Sequence, residues 1–171
     1  MLSADIAGTR CAAVPGVRTW RTRGRAMAIR SVYFNQQFQA SPETVFSFFA
    51  AHDNLSAVFG GKITRVVDAP EGTDPNGLGS VRRLQLAPGV SFEETVTAYV
   101  PPQRIEYRIS RGSPIREHLG VMLFSPEGTG TTLDYRIEFQ SRVPGTGGMI
   151  EWILQTTIDQ GLKRVSKTLV D

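Results

Sequence analysis

From Ile29 onward the chain alternates apolar and polar positions with a period of two, broken by two short helical patterns early and one long one at the end. Ile29–Gln39 sets Val32, Phe34 and Phe38 on one face and Tyr33, Asn35 and Gln37 on the other, as a half-buried strand does. Ser41-Pro42-Glu43 then starts a helix, with Ser41 as cap, Pro42 at the first helical position and Glu43 complementing the dipole. Val45, Phe46, Phe48 and Phe49 make that helix apolar. His52-Asp53-Asn54 breaks it, and Leu55–Phe59 forms a second short helical turn before Gly60-Gly61.

Strand patterns resume at Lys62–Asp68, followed by a loop from Ala69 to Gly79 rich in Pro, Gly, Asp and Asn. Ser80–Leu86 and Ser91–Val100 are joined tightly through Ala87-Pro88-Gly89, and Pro101-Pro102 turns the chain into Arg104–Ser110. His118–Phe124 and Thr131–Gln140 pair across a Gly-containing loop. Met149–Asp171 reads as a long amphipathic helix. Ile150, Ile153, Leu154, Thr157, Ile158, Gly161, Leu162, Val165 and Leu169 form its stripe; Glu151, Gln155, Asp159, Lys163, Ser166 and Lys167 lie opposite. A single terminal helix that buries one stripe against a curved sheet can close over a cavity, so the order predicts a container.

Composition adds little to this, and charge removes one class of function. The chain of 171 residues fits one domain, and its sequence pI is about 9.3. Arg10, Arg18, Arg21, Arg23 and Arg25 stand against Asp5 alone in residues 1–26, so the remainder carries −1 of the formal +3. The body is thus nearly neutral and lacks the basic footprint of a nucleic-acid binder. Residues 1–26 read as an Arg-rich leader, either disordered or upstream of a true start at Met27; the composition also permits a transit peptide. Residues 27–171 read as a single domain. No run of about 18 apolar residues spans a membrane, and a cytoplasmic location is the default expectation. Cys11, the sole cysteine, lies in the leader, so neither an intramolecular disulfide nor a Cys-based metal site is expected. With two histidines no metal constellation is expected either. No phosphate loop, dinucleotide fingerprint or nucleophile elbow occurs, and no cofactor is expected.

Three segments carry a resemblance: Ser41-Pro42-Glu43-Thr44-Val45-Phe46 after the first strand, Glu94…Pro101-Pro102…Ile105-Glu106-Tyr107, and Gly130-Thr131-Thr132-Leu133 before the last helix. In these the chain resembles the START-like superfamily, which includes Bet v 1-type proteins and polyketide cyclases, over residues 28–170. The resemblance implies an α+β helix-grip fold, with a curved seven-stranded antiparallel sheet wrapped around the C-terminal helix and an apolar pocket between them. It further implies binding of lipids, sterols, quinones or polyketides, with some members cyclising or dehydrating polyketides. Fold does not by itself settle function.

The residues themselves narrow the candidates. A four-residue loop at Pro101–Arg104 would pair Val100 with Ile105, Ala98 with Tyr107, Val96 with Ile109 and Glu94 with Arg111. Phe92, Val96, Val100, Ile105, Tyr107 and Ile109 then share an inward face, and Glu94 joins them opposite Arg111. Such a carboxylate either bridges Arg111 at the sheet edge or anchors a ligand carbonyl as an acid or base. His52 reads as a helix-terminal structural residue. Two alternations are open for His118. If Leu119, Val121 and Leu123 face inward, His118 is exposed; if Gly120, Met122 and Phe124 do, it joins Tyr107 and Tyr135 in the pocket. Tyr135 shares a face with Leu133, Ile137 and Phe139 and projects inward. Trp152, beside the stripe, either flanks the pocket mouth or simply packs, and Gly161 either admits sheet side chains or leaves room for ligand.

The expected site is therefore a pocket lined by Phe48, Phe92, Glu94, Val96, Tyr107, Arg111, Met122, Tyr135, Phe139, Trp152, Ile153, Thr157 and Ile158. A hydrophobic small molecule is the expected partner, with no nucleic acid and no stable membrane insertion, in a monomer or weak homodimer. Two alternatives stand beside carriage. One is a polyketide cyclase or dehydrase using Glu94 with Tyr107 or His118; the other is a protein-binding or co-chaperone module of the same fold.

Overall fold

The structure is a computed structural model that describes residues 28–170; the leader, Cys11 and Met27 lie outside the described residues. Seven strands form one antiparallel sheet: β1 (Arg30–Phe38), β2 (Lys62–Val67), β3 (Val81–Ala87), β4 (Val90–Val100), β5 (Arg104–Arg111), β6 (Ile115–Glu127) and β7 (Gly130–Ser141). Their spatial order is β1-β7-β6-β5-β4-β3-β2. The chain thus begins at one edge, crosses to the other through α1 (Pro42–Ala50), a 3₁₀ turn (His52–Leu55) and α2 (Ser56–Phe59), and returns by hairpins. A long α3 (Gly147–Thr168) closes the fold. This is the predicted helix-grip arrangement.

Local chemistry accounts for the crossing. Ser41 Oγ caps α1 by accepting the Thr44 N–H at 3.4 Å, and Pro42 occupies the first turn. Val45, Phe46 and Phe49 point from α1 into the core, where Phe46 and Phe49 meet Phe124 of β6 edge-on or tilted. On β1, Val32, Phe34 and Phe38 are buried, as the alternation predicts.

The terminal helix buries less than its sequence predicts. Ile158, Gly161, Leu162 and Val165 are buried against β1 and α2, whereas Ile150 and Leu154 are only partly buried. Ile153, placed on the stripe by spacing, is 46% exposed, and Met149 and Trp152 are exposed beside it. The reason is α2: it packs against the second half of α3, with the Val58 carbonyl so close that a Cβ on Gly161 would fall 2.1 Å from it. Gly161 therefore admits the backbone of a helix, not sheet side chains or ligand. Among the described residues no helix packs in that way on the first half of α3.

Candidate functional site

Strand alternation brings several polar side chains onto an otherwise apolar concave face. Arg82 and Leu84 point inward along β3, with the buried Ser80 just before it, and Arg82 lies directly across from Glu94 on β4. Arg82 is 1% exposed and Glu94 4% exposed. Both close guanidinium contacts fall on Glu94 Oε2, from Nε at 2.9 Å and from Nη2 at 2.9 Å. Only the Nε contact is well directed, so Nη2 stays without a hydrogen-bond acceptor in a buried position. Burial raises the Glu94 carboxyl above its ordinary range, with the charge and hydrogen bond of Arg82 opposing it.

From Arg82 the polar run continues inward. Its guanidinium carbon sits 4.3 Å above the Tyr107 ring centroid, a cation–π contact out of reach of water. The Tyr107 hydroxyl hydrogen-bonds the Tyr135 hydroxyl, and the ring lies 5.5 Å from His118. Burial pushes both tyrosines well above the usual phenol range, so both stay protonated at neutral pH. His118 Nδ1 accepts the Ile109 N–H at 3.2 Å, which places the proton of the neutral ring on Nε2. Burial, reinforced by Arg82 and Arg108, lowers its pKa to about 3. Glu94, Arg82, Tyr107, Tyr135 and His118 thus form one connected buried series.

Bulges decide these positions, and they correct the predicted register. The β4–β5 pairing shifts between Glu93 and Glu94 and again between Val96 and Ala98. Arg111 consequently stands opposite Glu93, and Glu94 opposite Ile109. The expected Glu94–Arg111 bridge does not form; Arg111 is exposed, and Arg82 takes its place. The turn holds three residues, not four, because Val100 pairs with Arg104. Tyr99 turns toward Phe46 in place of Val100, which is exposed. A further bulge precedes His118, whose own inward face follows from its alternation with the buried Gly120, Met122 and Phe124. The β6–β7 pairing shifts between Arg116 and Leu119, with Glu117 in the left-handed region at φ 49°, so Ile115 and His118 both face inward. His118 joins Gly120, Met122 and Phe124 on the buried face, the second of its two open alternations.

The remaining candidates divide by burial. Val96, Met122, Phe139 and Ile158 are buried, and Phe48, Phe92 and Thr157 are half-buried. Arg111, Trp152 and Ile153 are exposed. Sequence reasoning missed Arg82, although its alternation with Leu84 was a usable signal. It also gave His52 too little depth: His52 is 2% exposed, and neither ring nitrogen has a hydrogen-bond partner among the described residues. Burial, with Arg82 and Arg65 adding to it, lowers its pKa to about 3.

Two depressions lie toward opposite ends of the strands. One, of about 450 Å³, lies between the 3₁₀ turn and β2 and is lined by His52, Arg65, Asp68 and Asn76 among others. The other, of about 160 Å³, lies at the β5–β6 end and includes His118. Among the described residues no cluster of His, Cys, Asp and Glu can hold a metal ion, and no helix is long and apolar enough to cross a membrane.

Solved structures share this architecture at low identity. A START superfamily protein from Mycobacterium smegmatis is 16% identical, with a TM-score of 0.66 over 82% of this chain and 99% of its own. Truncated norcoclaurine synthase from Thalictrum flavum is 12% identical, with a TM-score of 0.63 over 85% of this chain and 96% of its own. These likenesses are of fold. The curated proteins gave no match. Residues 30–170, nearly the whole described body, match the family of polyketide cyclases/dehydrases and lipid transport proteins, and the chain belongs to that family.

Proposed function

We propose that the protein binds a small, mainly apolar molecule carrying a carbonyl or hydroxyl group, between the concave face and the first half of α3. The connected series Glu94–Arg82–Tyr107–Tyr135/His118 carries this reading. A buried donor without an acceptor costs about 1–3 kcal/mol, and a sheet built for stability alone would place apolar side chains there. A ligand oxygen would accept from Arg82 Nη2, or from the one hydroxyl proton that the Tyr107–Tyr135 pair does not use. The exposed Met149, Trp152 and Ile153 would cover the apolar remainder of the ligand. Native mass spectrometry of the purified protein, before and after organic extraction, tests the reading. An extractable mass, together with Tyr107→Phe weakening rebinding about tenfold (about 1.4 kcal/mol), supports it. Absence of any bound species, with no apolar carbonyl compound raising Tm, overturns it.

A second reading, cyclisation or dehydration of a bound poly-β-ketone, is favoured by one arrangement. Arg82 touches both Glu94, whose carboxyl burial raises, and the Tyr107 ring, beside His118. Glu94 would exchange a proton with the substrate while the tyrosine pair holds the developing enolate oxygen. Turnover that collapses in Glu94→Gln, with ligand binding retained, selects this reading over simple carriage.

A further inference from the structure

The 160 Å³ depression at the β5–β6 end has a chemistry that the carrier reading leaves unused. Arg111, Arg116 and Arg142 line it, with Ser110, Ser113 and the buried His118; Glu117 is the one carboxylate among its lining residues. Arg142 is fixed through Nε to the Ile115 carbonyl at 3.3 Å, and Arg116 through Nε to Gln140 Oε1 at 2.5 Å. The Arg111 side chain makes no hydrogen bond or ion pair among the described residues, and none of the three guanidinium groups pairs with an acid there. Glu117, in the left-handed region at the bulge, lies in the wall beside His118. A non-glycine residue in that conformation is strained, and such strain is retained where the surroundings enforce it. Three arginines against one carboxylate, with the His118 Nε2–H, make the depression net positive and rich in donors toward a ligand.

Its position completes the picture. Ile115 pairs with Ser141, and β7 leads from there directly into α3. The depression therefore lies at the end of the sheet from which the chain enters α3, whose first half exposes Met149, Trp152 and Ile153. We infer that this depression holds the oxyanion head, a carboxylate or phosphate, of an amphipathic ligand whose apolar chain runs under the first half of α3. The inference rests on the carrier reading and narrows its ligand to an anionic amphiphile. Guanidinium groups suit such heads because their planar donors match two anion oxygens at once.

The test compares dodecanoate, dodecyl phosphate and methyl dodecanoate by calorimetry, using the full chain and the variants Arg111→Gln and Arg111→Gln/Arg142→Gln. Both arginines are exposed, and circular dichroism checks that the variants stay folded. Either anion is expected to bind at least about tenfold tighter than the ester. That preference should shrink in Arg111→Gln and fall below about twofold in the double variant, while ester binding is unchanged. Inorganic phosphate should compete with dodecyl phosphate and not with the ester. Which anion binds tighter distinguishes a fatty-acid head from a phosphate head. Equal binding of acid and ester, or a preference that survives in the double variant, overturns the inference and leaves the carrier reading standing. Failure of all three amphiphiles to bind also overturns the inference, while the carrier reading stands or falls on the extraction experiment above.

Discussion

Tyr107 lies across Gly120, its partner in the β5–β6 register: a Cβ on Gly120 would fall 2.2 Å from Tyr107 Cζ and 2.6 Å from its hydroxyl. The missing side chain is what lets the ring cross β6 and reach Tyr135 on β7. Gly120→Ala is therefore expected to displace Tyr107 and cost about 1–3 kcal/mol. Tyr107→Leu in that background should recover part of the loss. A double-mutant cycle from urea unfolding reads the coupling, and additive effects would contradict the contact.

The Arg82–Glu94 pair makes a second prediction, with an asymmetry in it. Removing either partner strands a buried group, so Arg82→Met or Glu94→Gln should cost about 3–5 kcal/mol. Replacing both with apolar residues, as in Arg82→Met/Glu94→Leu, should restore most of that stability while abolishing ligand binding. Chemical denaturation beside calorimetry checks this. Stability and binding falling together in all three variants would contradict it.

Acid should destabilise the fold through its histidines. His52 and His118 carry pKa values lowered to about 3 by burial, from 6.5 unfolded. The unfolded state therefore takes up two protons that the folded state refuses between those values. Stability is complete above pH 6.5 and drains as pH falls toward 3, by up to about 1.4 kcal/mol per pH unit for each ring. Glu94 acts with the opposite sign. Its raised carboxyl favours folding below its unfolded value of 4.5 and loses that contribution as pH rises through the folded value, so it partly offsets the histidines in acid. Urea midpoints from pH 7 to 4 should flatten in His52→Leu/His118→Gln, and an unchanged slope would refute the assignment.

Two glycines of α3 should respond in opposite directions. Alanine is favoured over glycine in a helix by about 1 kcal/mol, and at Gly148 the added methyl meets nothing within 4 Å. Gly148→Ala should therefore stabilise slightly. Gly161→Ala drives its methyl into the Val58 carbonyl at 2.1 Å, and a net loss of about 2 kcal/mol is expected from overpacking. Thermal unfolding of the two variants side by side checks the sign at each.

Period and punctuation were enough to read the elements. The cap at Ser41-Pro42, the turn residues between strands and the apolar spacing of the last helix are local signals, and local sterics and hydrogen bonding fix what they produce. The same alternation put Glu94, Tyr107 and Tyr135 inward, because one uninterrupted strand face is determined by one buried residue upon it. Register was another matter. Bulges at Glu93/Glu94, Val96/Ala98 and Arg116/Leu119 each add one residue to a strand, which reverses every face beyond it. That is why Glu94 stands opposite Ile109 and not Arg111, and why Ile115 shares the buried face of His118. Nor does spacing along α3 say how far the helix is covered. The approach of α2 to Gly161 buries one half and leaves Ile153 in water. What each residue prefers is written locally; which residues meet depends on pairing between strands far apart in the chain, and only the assembled sheet supplies that.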